Sequence, residues 1–208
     1  MCGIVGIISR KPVAGRMVDA LKRLEYRGYD SAGVATLENG RLTRRRAEGK
    51  LSNLAALVDE QPLDGTIGIG HTRWATHGVP SVANAHPHAT KRLALVHNGI
   101  IENYRDLKAE LEAEGAAFES QTDTEIVAHL VTRELERGFP PKEAVQAVLA
   151  RLEGAFSLAF LFDGQEELLI GARRGSPLAV GEGEGEMFLG SDGIALSPFT
   201  DTVRYLEE

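Results

Sequence analysis

The chain has 208 residues, 43% of them hydrophobic and 25% charged, with a formal net charge of −7. This composition supports one substantial core and excludes disordered and fibrous classes, and the negative balance argues against a nucleic-acid surface, which needs clustered Lys and Arg. Its single cysteine permits neither an intramolecular disulfide nor a cysteine-based zinc site, which suits a reducing compartment.

Gly3 to Ser9 is an apolar run rich in Ile and Val, as in a strand covered on both faces. It is too short for a secretory h-region, and Arg10 and Lys11 follow rather than precede it. No run approaches the roughly 20 apolar residues that span a bilayer, so a cytoplasmic location without membrane contact is expected. Val13 to Tyr26 has helical spacing, with Gly28 as its stop. Strands are expected at Ala32 to Leu37, Leu42 to Arg46, Thr66 to His71 and Leu93 to His97. Arg44-Arg45-Arg46 is the main basic cluster and reads as solvated surface. Helices follow at Asn103 to Glu114, Asp123 to Glu136 and Lys142 to Leu152. Four short strands, Ala155 to Phe162, Glu167 to Ala172, Leu178 to Val180 and Met187 to Leu189, read as a meander, and Thr202 to Leu206 as a last strand. The Gly-Glu tract from Gly181 to Glu186 reads as a solvated turn. Strand groups at both ends with helices between them predict an α+β fold in one domain, residues 1–208. The ending at Glu207-Glu208, without a cap or tail, suggests a missing downstream region.

A lone cysteine is ordinarily packing, but Cys2 stands next to the initiator Met. Removal of Met1 would leave a thiol and a free α-amine on one residue, titrating near ~8.5 and ~7.7–8.0. The amine can take the thiol proton and return it to a leaving group. Such a nucleophile needs oxyanion donors, which the Asn98 carboxamide and the Gly99 amide can supply, although Asn-Gly here is equally a type I′ hairpin signal.

His71 to Gly78 gathers an Arg, two hydroxyls, two imidazoles and the only Trp. Arg73 could fork a carboxylate, with Thr76 adding a hydroxyl, or could form an internal ion pair beside an aromatic ring. Gly78, Pro80 and Ser81 give this segment the look of a mobile lid. His86-Pro87-His88 could chelate, but no carboxylate stands at ligand spacing, so neither a metal nor another cofactor is expected. Thr122 and Glu125 fit a capping box at the start of a helix. That would leave Asp123 free either to serve the helix dipole or to bind an ammonium group.

Cys2-Gly3-Ile4-Val5-Gly6, Tyr26 to Gly33, His71 to Gly78, His97 to Asn103 and Thr122 to Glu125, in this order, closely resemble the class II glutamine amidotransferases. The resemblance implies an N-terminal nucleophile hydrolase fold, a four-layer αββα sandwich. It also implies that Cys2 attacks L-glutamine with its own amine as base, and that Asn98 and Gly99 form the oxyanion hole. Arg73, Thr76 and His77 would hold the substrate α-carboxylate and Asp123 its ammonium, while Arg27 supports the nucleophile and Trp74 belongs to a closing loop. The motifs are more similar to the hexosamine-forming branch than to amidophosphoribosyltransferase or asparagine synthetase. Full enzymes of that branch are implied to be homodimers, with sugar-phosphate isomerase domains, absent here, that deliver the ammonia to fructose 6-phosphate. Two rivals stand beside this reading, a glutamine-sensing module and an amidohydrolase for a different acyl substrate.

Overall fold

A computed structural model describes residues 2–207. The chain begins with β1 (Gly3–Ile8), α1 (Ala14–Lys22) and a 3-10 turn at Glu25–Arg27. The first helix is shorter than its periodicity predicts. The Arg23 and Leu24 amides donate three residues back, to Ala20 O and Leu21 O, which tightens the chain into 3-10 geometry. Next come β2 (Ser31–Glu38), β3 (Arg41–Glu48), α2 (Leu51–Glu60) and β4 (Ile67–Arg73). Helix α2 is not among the expected elements. Its first amide, on Leu51, is met 3.0 Å away by the Glu25 carboxylate, so its start is capped from elsewhere in the chain.

The middle of the chain supplies β5 (His88–Ala89), β6 (Leu93–Gly99), α3 (Tyr104–Ala113), α4 (Asp123–Glu136) and α5 (Pro141–Leu149). It closes with β7 (Phe156–Phe162), β8 (Leu169–Arg174), β9 (Ala179–Gly183), β10 (Glu186–Gly190), α6 (Gly193–Leu196) and β11 (Thr202–Tyr205). The meander expectation fails at Ser176-Pro177. There the chain leaves a four-stranded sheet, β5-β6-β7-β8, and enters a seven-stranded one, β11-β9-β10-β1-β4-β2-β3. The Gly-Glu tract forms the end of β9, the turn and the first residue of β10, and Glu186 is no free surface group because Arg16 grips it at 2.7 Å.

Strand alternation sorts the side chains into three apolar layers. Val5 and Ile7 face α1 and α2, while Ile4, Ile67 and Ile69 face the second sheet, where Ala94, Val96, Ala159 and Leu161 meet them. The opposite face of β6 and β7, with Leu95, Phe156, Leu158, Phe160 and Phe162, packs on α3, α4 and α5. The result is an α+β sandwich of four layers, helices outside and two antiparallel sheets within.

One end of the inter-sheet layer turns polar. Following the same face along β4, Ile69 gives way to His71 and Arg73. On β6 Val96 gives way to Asn98, and on β1 Ile4 is preceded by Cys2. The apolar gap between the sheets therefore ends in a polar mouth.

Candidate active site

At that mouth lies a cavity of about 300 Å³ with Cys2 and Asn98 among its lining residues. The Trp74 amide donates to Cys2 Sγ at 3.1 Å, and the thiol in turn faces Trp74 O at 3.5 Å. Burial pushes the Cys2 thiol up, and the Trp74 hydrogen bond pulls against that. Met1, whose removal would free the amine, lies outside the described residues.

Asn98 and Gly99 do not form a hairpin turn, because β6 continues through both of them, paired with Ser157 and Phe156. The next amide, on Ile100, donates to Ala155 O at 3.0 Å, and antiparallel alternation therefore turns the Gly99 N–H away from β7. Gly99 has φ +122°, and a Cβ there would sit 2.1 Å from Ala155 O, so this backbone geometry requires glycine. The Asn98 carboxamide donates to Cys2 O at 3.0 Å, leaving a second N–H for the cavity.

Asp123 also lines the cavity and is almost wholly buried. Its carboxylate accepts from Ile101 N at 2.8 Å, and His97 Nδ1 lies 3.9 Å away. The capping box is absent. Thr122 makes no side-chain cap but contacts His88 Nε2 at 3.0 Å. Glu125 bends back to the Glu119 and Ser120 amides at 2.8 and 2.7 Å, because those amides precede the helix and need an acceptor. These bonds and His129 outweigh burial and lower the Glu125 carboxyl to about 2.

Arg73, Trp74, Thr76 and His77 line the cavity from the loop after β4. Arg73 is 3% exposed, and its guanidinium donates to the carbonyls of His77, Gly78 and Val79. Asp30 lies 3.6 Å from it, the internal ion pair that the sequence allowed, and the residue also lines the cavity. The Asp30 carboxylate also accepts from the Ala75 amide, anchoring the root of the loop. Beyond that root Trp74 is 47% exposed and meets Tyr29 edge-on, and His77 meets Tyr104 in the same way. Arg27 reaches the cavity from the 3-10 turn and pairs closely with Asp192.

Sequence reasoning missed several lining residues: His86, His97, Thr124, Ser176, Pro177 and Ser191. In the sequence His86 reads only as a possible chelator with His88, and His97 and Thr124 only as members of the motifs His97 to Asn103 and Thr122 to Glu125. His71, His86, His88 and His97 are all buried, with burial the leading cause that depresses each ring. His71 and His88 fall to about 3 and are neutral at physiological pH. Among the described residues no three His, Cys, Asp or Glu side chains are arranged to hold a metal ion. The arginine run is not solvated surface either. Arg44 donates to Pro87 O, and Arg46 to Ala83 O and Ala85 O, tying β3 to the segment after the loop.

The profile of the glutamine amidotransferase domain matches residues 71–198. The chain belongs to that family. It is 72% identical over all 208 residues to glutamine–fructose-6-phosphate aminotransferase (isomerizing) of Brucella suis, and 60% identical to that of Caulobacter vibrioides. In both comparisons it covers 34% of the relative, so this amidotransferase domain spans about a third of the length of the curated relatives it matches. Among solved structures, Bacillus subtilis glutamine phosphoribosylpyrophosphate amidotransferase superposes with a TM-score of 0.85 at 28% identity. That match covers the whole of this chain and 45% of the other. A class II glutamine aminotransferase domain protein from Silicibacter pomeroyi shares the fold, with a TM-score of 0.63 at 18% identity over 99% of both chains.

Proposed function

We propose that this amidotransferase domain hydrolyses L-glutamine to L-glutamate and ammonia, with Cys2 as an N-terminal nucleophile. The observation that carries the reading is that a thiol, two oxyanion donors, a cation and a carboxylate, spread from residue 2 to residue 123, line one cavity. After loss of Met1 the Cys2 amine takes the thiol proton, and the thiolate attacks the γ-carboxamide carbon. Asn98 Nδ2 and the Gly99 amide receive the oxyanion. Collapse of the tetrahedral intermediate breaks the C–N bond, and the protonated amine supplies the proton with which ammonia leaves. Water, deprotonated by the same amine, then cleaves the thioester to give glutamate and the free thiol. Arg73, Thr76 and His77 attract the α-carboxylate, Asp123 takes the α-ammonium, Arg27 supports the nucleophile, and Trp74 covers the cavity.

We further read residues 1–208 as one domain that works in the cytoplasm. In a longer chain of the Brucella kind it would supply ammonia for transfer to fructose 6-phosphate in a homodimeric enzyme.

Glutamate release decides between the readings. Wild-type chain whose intact mass lacks Met1 is expected to release glutamate. Cys2→Ala is expected to release none while still binding glutamine in a calorimeter. A wild type that binds glutamine and never turns it over would make the domain a sensor, and turnover in a preparation retaining Met1 would refute the amine's role.

A further inference from the structure

We propose that His71 is a positioning residue for the oxyanion donor, its Nε2–H holding the Asn98 carboxamide so that the NH2 group faces the nucleophile and the cavity. This rests on the glutaminase reading above.

His71 is fully buried on the inner face of β4. Its Nε2 lies 3.0 Å from His97 O and 3.0 Å from Asn98 Oδ1. The first partner can only accept. The second is fixed as an acceptor by the other end of the same amide, whose nitrogen donates to the Cys2 carbonyl at 3.0 Å. With two oxygens before it, Nε2 must carry the proton, and the ring donates to both in a bifurcated bond. The opposite tautomer would point a lone pair at two oxygens. His71 Nδ1, buried and without a partner, is left as the bare nitrogen. The ring cannot readily turn to exchange its nitrogens, because His86 stacks on it with centroids 4.2 Å apart. His86 is held in its turn by Thr124 Oγ1 at 2.9 Å.

The reaction needs this second anchor. An amide that flips presents its oxygen to the developing oxyanion, replacing a donor with a repulsion. The Cys2 carbonyl alone is a poor guarantee, since it belongs to the residue that reacts. His71 fixes the amide from inside the sheet, through an atom that touches neither substrate nor thiol.

The test uses His71→Leu, which removes the donor, and His71→Gln, whose terminal NH2 can restore it. His71→Leu is expected to lower kcat roughly 10- to 100-fold, the scale of a small misplacement in a reacting site, with KM for glutamine and the iodoacetamide alkylation rate of Cys2 each within about twofold. His71→Gln should recover most of the lost kcat. In an Asn98→Ala background His71→Leu should cost nothing further, because the group it positions is gone. Additive losses, or a glutamine variant as poor as the leucine one, overturn the proposal. Should His71→Leu fail to fold, the ¹⁵N shifts of the wild-type ring decide alone: a protonated Nε2 supports the proposal, and a protonated Nδ1 or an imidazolium overturns it. A wild type that releases no glutamate refutes the glutaminase reading instead, a result the ring shifts do not share.

Discussion

The two walls of the cavity are built by opposite means. On one side Asn98, Gly99 and Asp123 stand on β6 and at the start of α4, backed by four buried histidines whose partners are hydroxyls, a backbone carbonyl, the Asn98 carboxamide and one another. On the other, Arg73 closes β4, and Trp74 to His77 hang on the loop beyond it, whose root is fastened by Asp30, with Trp74, Val79 and Val82 half-exposed or more. The first wall presents groups where the oxyanion and the ammonium would sit, and the second presents charge and an aromatic cover. On the proposed function, the donors would thus stand on the sheet, and the parts that admit substrate on exposed backbone.

Acid should separate the walls by the largest margin. His71 and His88 titrate at about 3 in the fold and near ~6.5 when unfolded. Between those limits the unfolded chain binds more protons, so the stability held above pH ~6.5 is lost as pH falls. At pH ~4.5 the two rings together would cost about 5 kcal/mol, at ~1.36 kcal/mol per pH unit each, a large part of the usual 5–15 kcal/mol. Glu125 acts in the same direction at lower pH. Its carboxyl is held at about 2, so its contribution is complete above the ordinary carboxylate range and is lost as pH falls toward that value. Denaturant midpoints measured from pH 7 to 4 should fall steeply, and His88→Gln should flatten the slope by close to one proton. A midpoint that stays level across this range would mean that the rings are not held neutral.

Next in size is Asn98→Ala, expected to lower kcat about 10²- to 10³-fold, or roughly 3–4 kcal/mol, with a small change in KM. Steady-state glutamate release measures it. An effect carried mainly by KM would place Asn98 in substrate binding and blur the division between the walls.

Much of this arrangement was legible in the sequence because it rests on period. The alternation that buries Ile4, Ile69 and Val96 between the sheets also sends Cys2, His71 and Asn98 to the same layer. What escaped depends on partners far along the chain. Helix α2 is started by Glu25, Glu125 caps the amides before its own helix rather than pairing with Thr122, and Arg44 and Arg46 reach the carbonyls of Pro87, Ala83 and Ala85. Asn98-Gly99 misled as a turn signal because the feature that requires glycine is the close approach of Ala155 O, which lies just before β7 and far from Gly99 in the chain. The buried histidines read in the sequence only as a possible chelating pair, His86 and His88, or as parts of motifs, His71 and His97, because the burial that keeps them neutral comes from residues far along the chain.

On the rigid wall, Asp123→Asn keeps a polar group for the Ile101 amide but removes the charge that would face the α-ammonium. It should raise KM about 10- to 100-fold, the scale of a hydrogen bond to a charged group, with kcat little changed. An unchanged KM would remove Asp123 from the substrate's path.

The smallest effect belongs to the loop. Trp74 touches Tyr29 edge-on with nearly half its surface in solvent, so its own packing is worth only about 0.5–1.5 kcal/mol. The part of Trp74 that meets the nucleophile is backbone: its amide donates to Cys2 Sγ and is unaffected in kind by a change of side chain. Trp74→Ala should therefore leave the thiol's alkylation rate near the wild-type value and raise KM for glutamine by no more than about tenfold, in keeping with an aromatic cover of that worth. A large fall in kcat at saturating glutamine would show instead that the indole helps to order the reacting groups, and the functional contrast between the walls would fail.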